Sequence, residues 1–284
     1  MTARLTTVRS GALTTVQDSG RRGHAHLGVP RSGALDAPAM RLANRLLGND
    51  PDAAVLETTL TGCALRPDRA ISAVVGGAHC PVTVDGRPAA WGAPVRVPAG
   101  AVLNVGTATA GVRSYVAVAG GIATEPVLGS RSTDLLSGLG PEPLRDGDVV
   151  PVGLPRSVTP SVAAPWPGPP AELVLPVRLG PRADWFAPAA LRTLTSATYR
   201  VSPHSNRIGL RTEGPPLERA STGELASEGV VLGAVQVPPD GRPVVFLHDH
   251  PTTGGYPVVA VVAEPSLAAA AQAAVGTPVR FTLG

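Results

Sequence analysis

The sequence predicts a mainly β fold, a sandwich or closed barrel, arranged as two lobes. Three observations carry this. Short runs rich in Val, Leu and Thr recur every ~8–12 residues, each bounded by a turn signal. Glycine (33) and proline (31) are spread along the 284 residues, too evenly for a helical bundle. Hydrophobic residues make up 43 % but aromatics only 3 %, so the predicted core is Val, Leu and Ala.

In the first half, strands are predicted at 5–8, 54–58, 69–75, 81–84, 94–97, 101–105 and 112–119. Gly76-Gly77, Asp85-Gly86 and Ala99-Gly100 mark turns among them. One helix interrupts the series. Asp36 is a good N-cap, Pro38 suits the first turn, and Met40, Ala43, Leu46 and Leu47 make an apolar face before Gly48-Asn49 stops it. Residues 154–171 are proline-rich with little periodicity and read as a linker between a lobe over 1–153 and a lobe over 172–284. An extended arm lying on a barrel is the alternative. In the second half, strands are predicted at 172–180, 198–202, 230–238, 243–247 and 257–263, with short helices at 184–196 and 266–276.

Composition excludes several chemistries. Lysine is absent and all 24 basic residues are arginine. A Walker A loop, a Schiff-base site and a biotin attachment site each need lysine, so none is carried by this chain, and no covalent cofactor is expected on it. The arginines are scattered among acids, without a basic run that would suggest a nucleic-acid groove. Cys63 and Cys80 lack CxxC spacing and read as buried free thiols. The first residues lack the apolar core of a signal peptide, and no apolar run reaches the ~20 residues of a membrane span. A cytoplasmic protein with no membrane contact is expected.

The densest chemistry lies in HDHPTTGGYP, residues 248–257. As a continuation of the strand VVFL it would put His248 and His250 on one face and Asp249 on the other. With His24 and His26 there are two HxH pairs, but no carboxylate follows the first as a metal site of the cupin type needs, and no metal site is expected. Thr252, Thr253, Gly254, Gly255 and Tyr256 read either as an oxyanion loop, with glycine allowing close approach and positive φ, or as a plain turn. VQDSGRRG offers Gln17, Asp18 and Arg21 on a glycine-flanked loop, and Ser32 precedes the helix N-terminus. SNRIGLR offers Asn206 and Arg207, an amide holder and a carboxylate clamp, although Ser-Asn is also ordinary turn chemistry. Glu228 precedes a strand, and Gln236 lies inside one, where a buried amide needs a partner. From the residues alone, the reading is an all-β protein that binds a small anion or amide.

TVQDSGRRG, GVPRSGALD, ANRLLGN, LETTLTG, SNRIGLR, SEGVVLGAVQVPPDGRPVVF and PTTGGYP occur in that order across most of the chain. Together they resemble the biotin-dependent carboxyltransferase, or allophanate hydrolase subunit 2, family, whose stand-alone bacterial members include the C subunit of an ATP-dependent 5-oxoprolinase. His250 and Pro251 depart from the family's usual residues. The resemblance implies two cyclophilin-like β-barrel lobes with a few short helices. It implies two partner chains, the B and A subunits of the 5-oxoprolinase, a small-molecule lactam substrate, and ATP with Mg2+ used in the complex. Arg21 or Arg207 is then expected to hold a substrate carboxylate or ATP phosphates, Asp18 or Glu228 to bind metal or take a proton, and the Thr252–Gly255 loop to cradle an oxyanion. Carboxyl transfer from carboxybiotin to urea or another amide, and a regulatory role in a kinase-inhibitor pair, are the alternatives.

Overall fold

A computed structural model describes residues 2–156, 164–221 and 223–284. The chain forms two compact units. The first comprises the residues up to Arg21, Ser32–Asp134 and Gly138–Pro169; the second comprises Arg22–Arg31, Leu135–Ser137 and Pro170–Gly284. Two short segments of the N-terminal half therefore belong to the C-terminal unit.

The first unit is a sandwich of two antiparallel sheets. One runs Val149–Pro151, Arg4–Arg9, Ala64–Pro67, Leu103–Val105, Val82–Val84, Arg87–Pro88. The other runs Thr14–Gln17, Val55–Thr59, Ala110–Val118, Ile71–His79, Val95–Val97. Alternation along each strand sends one set of side chains inward. Leu5, Leu65, Leu103 and Val105 meet Val16, Leu56, Val75, Val116 and Val118 in one core. The second sheet also buries its other face, because Val55, Val74, Tyr115 and Ala117 pack against Met40, Ala43, Leu46 and Leu47 of the helix Ala37–Leu46. That helix starts as the sequence predicts, with the Asp36 carboxylate accepting from the Ala39 amide at 3.0 Å. Asn44 is buried and donates to the Pro51 and Ala53 carbonyls, which ties down the helix exit. Of the sandwich and the closed barrel that the sequence allows, this unit takes the sandwich form. Its strands divide between two sheets with free edges, whereas a barrel has none.

The second unit contains a closed seven-stranded barrel: Leu173–Leu179, Val258–Val262, Ala234–Gln236, Val244–Phe246, Gly209–Glu213, Tyr199–Val201, Pro278–Leu283 and back to the first. All pairings are antiparallel except the closing one, Leu173–Leu179 with Pro278–Leu283. Leu175, Val177, Leu210, Val235, Val245, Val259, Val279 and Phe281 are buried in it. Three predicted elements of this unit are cut well short, among them the helix over 184–196, which begins only at Pro188 after a separate 3-10 turn, Ala183–Trp185. The strand over 230–238 is reduced to Ala234–Gln236, because Gly233 turns at φ 82. The helix over 266–276 ends at Gln272. Ala273 is extended, and a turn through Gly276 at φ 83 delivers the chain to Pro278. No helix of the described residues is long and apolar enough to cross a membrane. Both cysteines are buried and free, and burial pushes the Cys63 thiol up to about 12.

Part of the proline-rich stretch, 157–163, lies outside the described residues. Beyond it, Ala164 and Trp166 pack onto the first unit's helix-covered face. The Trp166 indole donates to the Gly92 carbonyl at 2.9 Å and lies over Gly76, where an added Cβ would collide with its ring. Gly76→Ala is therefore expected to expel the indole and cost ~1–3 kcal/mol by overpacking. Tryptophan emission should shift to the red in this variant and not when Gly76→Ala is made in a Trp166→Phe background. An unshifted spectrum would show that the indole does not sit there.

Candidate active site

The predicted site residues fall into two groups, one in each unit. In the first unit, Gln17, Asp18, Arg21 and Ser32 come together in a knot of three loops, 17–21, 32–36 and 130–134. Asp18 is its hub. Its Oδ1 accepts from the Gly20 amide (2.8 Å), the Ser130 hydroxyl (2.6 Å) and the Ser132 hydroxyl (2.7 Å), and its Oδ2 accepts from the Arg131 amide (2.6 Å). Gln17 Nε2 donates to the Thr15 hydroxyl and the Thr133 carbonyl, each at 3.0 Å. Ser32 Oγ reaches the same carbonyl at 3.2 Å. Arg21 is buried, with Nε 3.4 Å from the Val127 carbonyl and an amino group on the Ser132 carbonyl. Ser32 at φ 54 and Gly33 at φ 99 bend the second loop back onto the first, and the Ala34 amide donates to the Asp18 carbonyl at 2.9 Å.

This geometry bears on the expected roles. With three hydrogen bonds on Oδ1 and one on Oδ2 tying three loops together, Asp18 fits a loop organiser better than a direct metal ligand or proton acceptor. Ser130, Ser132 and Thr133 were not among the sequence candidates, although the Gly-led GSRSTD run, 129–134, carries the composition of a ligand loop.

In the second unit, Arg207 and Asp249 form a buried ion pair, 1 % and 0 % exposed by side chain. Arg207 Nε and Nη2 each donate to one carboxylate oxygen at 2.9 Å, a two-toothed grip. Asp249 Oδ2 also accepts from the Leu135 amide at 3.3 Å. The clamp predicted for Arg207 exists, but it holds a carboxylate of this chain. The alternation predicted for 248–250 does not hold. The strand stops at Phe246, and His250 N–H donates to the Leu247 carbonyl in a turn, so His248, Asp249 and His250 are all buried. His250 stacks on Phe246 and pairs its Nδ1 with the Pro251 carbonyl at 2.6 Å, which assigns the proton to Nδ1. Asn206 is turn chemistry: its Oδ1 accepts from the Ile208 and Gly209 amides. Among the described residues no three His, Cys, Asp or Glu group as a metal site.

The Thr252–Tyr256 segment is built into a small ribbon. Thr253–Gly254 pairs antiparallel with Glu228–Gly229, and the Val230 amide donates to the Thr252 carbonyl at 3.0 Å. Neither Gly254 nor Gly255 has positive φ, which corrects one expectation. Close approach is what requires Gly254, since a Cβ there would sit 2.7 Å from Gln236 Nε2. Gln236 is buried, and its amide holds the Tyr256 carbonyl at 2.9 Å. Glu228 is gripped by both arms of Arg182, whose hydrogen bonds hold its carboxyl below the usual range. Thr253, Gly255 and Tyr256 face solvent, with the Arg219 guanidinium 6.0 Å from the Tyr256 ring centre.

Comparison with known proteins places this architecture. The carboxyltransferase domain, subdomain A and B, matches over residues 27–283. The chain is 38 % identical to the C subunit of 5-oxoprolinase from Escherichia coli, over 96 % of this chain and 89 % of the relative. It is 33 % identical to urea amidolyase of Saccharomyces cerevisiae, over 95 % of this chain but only 16 % of that protein. The crystal structure of TTHA0988 superposes with a TM-score of 0.90 at 38 % identity, covering 99 % of this chain, which spans 56 % of the length of that one. The chain belongs to the carboxyltransferase domain family, subdomains A and B.

Proposed function

We propose that this chain is the C subunit of an ATP-dependent 5-oxoprolinase and works in a complex with the B and A subunits of that enzyme. The observation that carries the reading is the 38 % identity to a 5-oxoprolinase C subunit along 89 % of that relative. In the proposed reaction the γ-phosphoryl of ATP passes to the lactam oxygen of 5-oxoproline and ADP leaves. Water then adds to the carbon, the ring C–N bond breaks with its electron pair going to nitrogen, which takes a proton, and a second water releases phosphate to give glutamate. A lactam carbonyl is a poor electrophile, and phosphorylation makes it a good one. Such a site works by positioning and by stabilising charge.

The second unit offers the Thr252 and Thr253 hydroxyls and the Gly254–Gly255 backbone as an anion cradle, backed by Gln236. The first unit offers the rigid loop around Gln17, Arg21 and Ser32. Direct Mg2+ ligation does not suit the two acids proposed for it, because Asp18 already takes four hydrogen bonds and Glu228 is gripped by Arg182. No step is therefore assigned to metal on this chain, and ATP with Mg2+ is proposed for the assembled enzyme.

Carboxyl transfer is the second reading, favoured by the match to urea amidolyase. With no lysine here, carboxybiotin would have to arrive on another chain. ATP-dependent release of glutamate from 5-oxoproline, measured in the co-expressed complex with each component omitted in turn, separates the two. Activity that disappears without this chain supports the proposal. A verified complex that is inert toward 5-oxoproline but carboxylates urea when supplied with a carboxybiotin carrier supports carboxyl transfer instead.

A further inference from the structure

Beneath the turn that enters the first helix lie a buried acid and a buried phenol with no part in the chemistry above. Glu57 and Tyr115 are directly opposite on adjacent strands, 1 % and 0 % exposed. The Tyr115 hydroxyl donates to Glu57 Oε2 at 2.9 Å. The same oxygen accepts from the Leu35 amide at 2.9 Å. Tyr115 Oη in turn accepts from the Asp36 amide at 2.7 Å. Arg113, on the same face of its strand, has its Nε 3.7 Å from Glu57 Oε1. Two successive backbone amides of the turn are thus held by side chains rising from the sheet. Burial, reinforced by the negative charges of Glu57 and Asp36, raises Tyr115 well above the ordinary phenol range, so it remains a donor.

Packing alone does not call for these groups. Val55, Val74 and Ala117 around them are apolar, and an apolar pair would continue that face. The turn above them does need restraint. Ser32 holds a positive φ that a side-chain-bearing residue keeps only where its surroundings over-determine it. A Cβ on Gly33 would sit 2.9 Å from the Gly20 amide nitrogen, and the Ala34 amide is bonded to the Asp18 carbonyl. Any shift of the 32–36 turn is therefore passed directly to the 17–21 loop.

We propose that Glu57 and Tyr115 are positioning residues: they set the Ser32–Asp36 turn and, through it, the loop that carries Gln17, Asp18 and Arg21. This rests on the reading that these loops serve the proposed reaction. Both side chains are buried beneath the turn, so their action on the reaction is indirect.

The test uses Tyr115→Phe, Glu57→Gln and Glu57→Ala in the assembled enzyme. Tyr115→Phe keeps the ring and removes only the relay. Amide exchange at Asp36 and Gly20 should quicken together. The kcat for lactam opening, per assembled complex, should fall about tenfold or more with KM little changed, as displacement of positioned groups predicts. Glu57→Gln, which keeps an acceptor for Leu35, should retain more activity than Glu57→Ala. Unchanged exchange at Gly20, or unchanged kcat in a variant whose exchange has risen, overturns the proposal. A wild-type complex that opens no lactam defeats the functional reading instead, and the exchange arm then decides alone: joint loss of protection at Asp36 and Gly20 sustains the relay, and its retention at Gly20 ends it.

Discussion

Asp249→Ala is expected to remove ~3–5 kcal/mol of stability, because it takes away the carboxylate opposite the buried guanidinium of Arg207. The Leu135 amide loses its acceptor in the same step. Against a total of ~5–15 kcal/mol for a folded domain, such a loss leaves little margin. The ion pair itself contributes far less than its removal costs, since both ions gave up hydration to become buried. The double replacement Arg207→Met with Asp249→Leu is therefore expected to recover most of the loss. Urea denaturation of Arg207→Met, Asp249→Leu and the double variant closes the cycle. Single losses below ~1 kcal/mol, the range of exposed pairs, would mean the pair is not sealed from water. Activity adds a second distinction. If Arg207 binds substrate directly, the double variant should be stable and inactive.

Asp18→Ala has the next largest expected effect, ~3 kcal/mol or more, as two hydroxyls and two amides lose a charged acceptor. Asp18→Asn is the sharper probe. It keeps one oxygen for the serines but sets an amino group against the Arg131 amide, a donor facing a donor. An organiser of loops predicts that melting temperature and turnover fall together in both variants. A proton acceptor predicts an Asn variant that melts like the wild type and does not turn over. The four short hydrogen bonds favour the first outcome.

Many strands and the first helix were legible because each rests on a local rule, alternation, an N-cap, a stop at Gly48-Asn49, whereas Thr14–Gln17, Ala64–Pro67 and Pro278–Leu283 were not among the predicted strands. The sheet partnership that separates a sandwich from a barrel is long-range, and no local pattern encodes it. The same distinction runs through the site. Gln17, Asp18 and Ser32 were legible from loop chemistry, and the first unit brings them together around Thr133 and Ser132. The partner of Arg207 was hidden in plain view. Asp249 lies 42 residues away, and reading 248–250 as strand turned it to the wrong face. Gln236 was suspected because a buried amide needs a partner, and its partner proved to be a backbone carbonyl of the suspected loop. Glu57 and Tyr115 looked like ordinary strand residues, and only their vertical pairing through the turn above gives them meaning.

The two N-terminal segments that belong to the second unit must wait for their partners to be synthesised. Arg31 finds its ion-pair partner Glu264 at a separation of 233 residues. At ~5–20 residues per second, the ribosome delivers that partner about ten to fifty seconds after Arg31 itself. The Leu135 amide likewise waits for Asp249 across 114 residues. Through that interval the nascent chain carries a sandwich that can close while two of its loops have nowhere to dock. Those loops, 22–31 and 135–137, are where a chaperone or a protease would meet the unfinished protein.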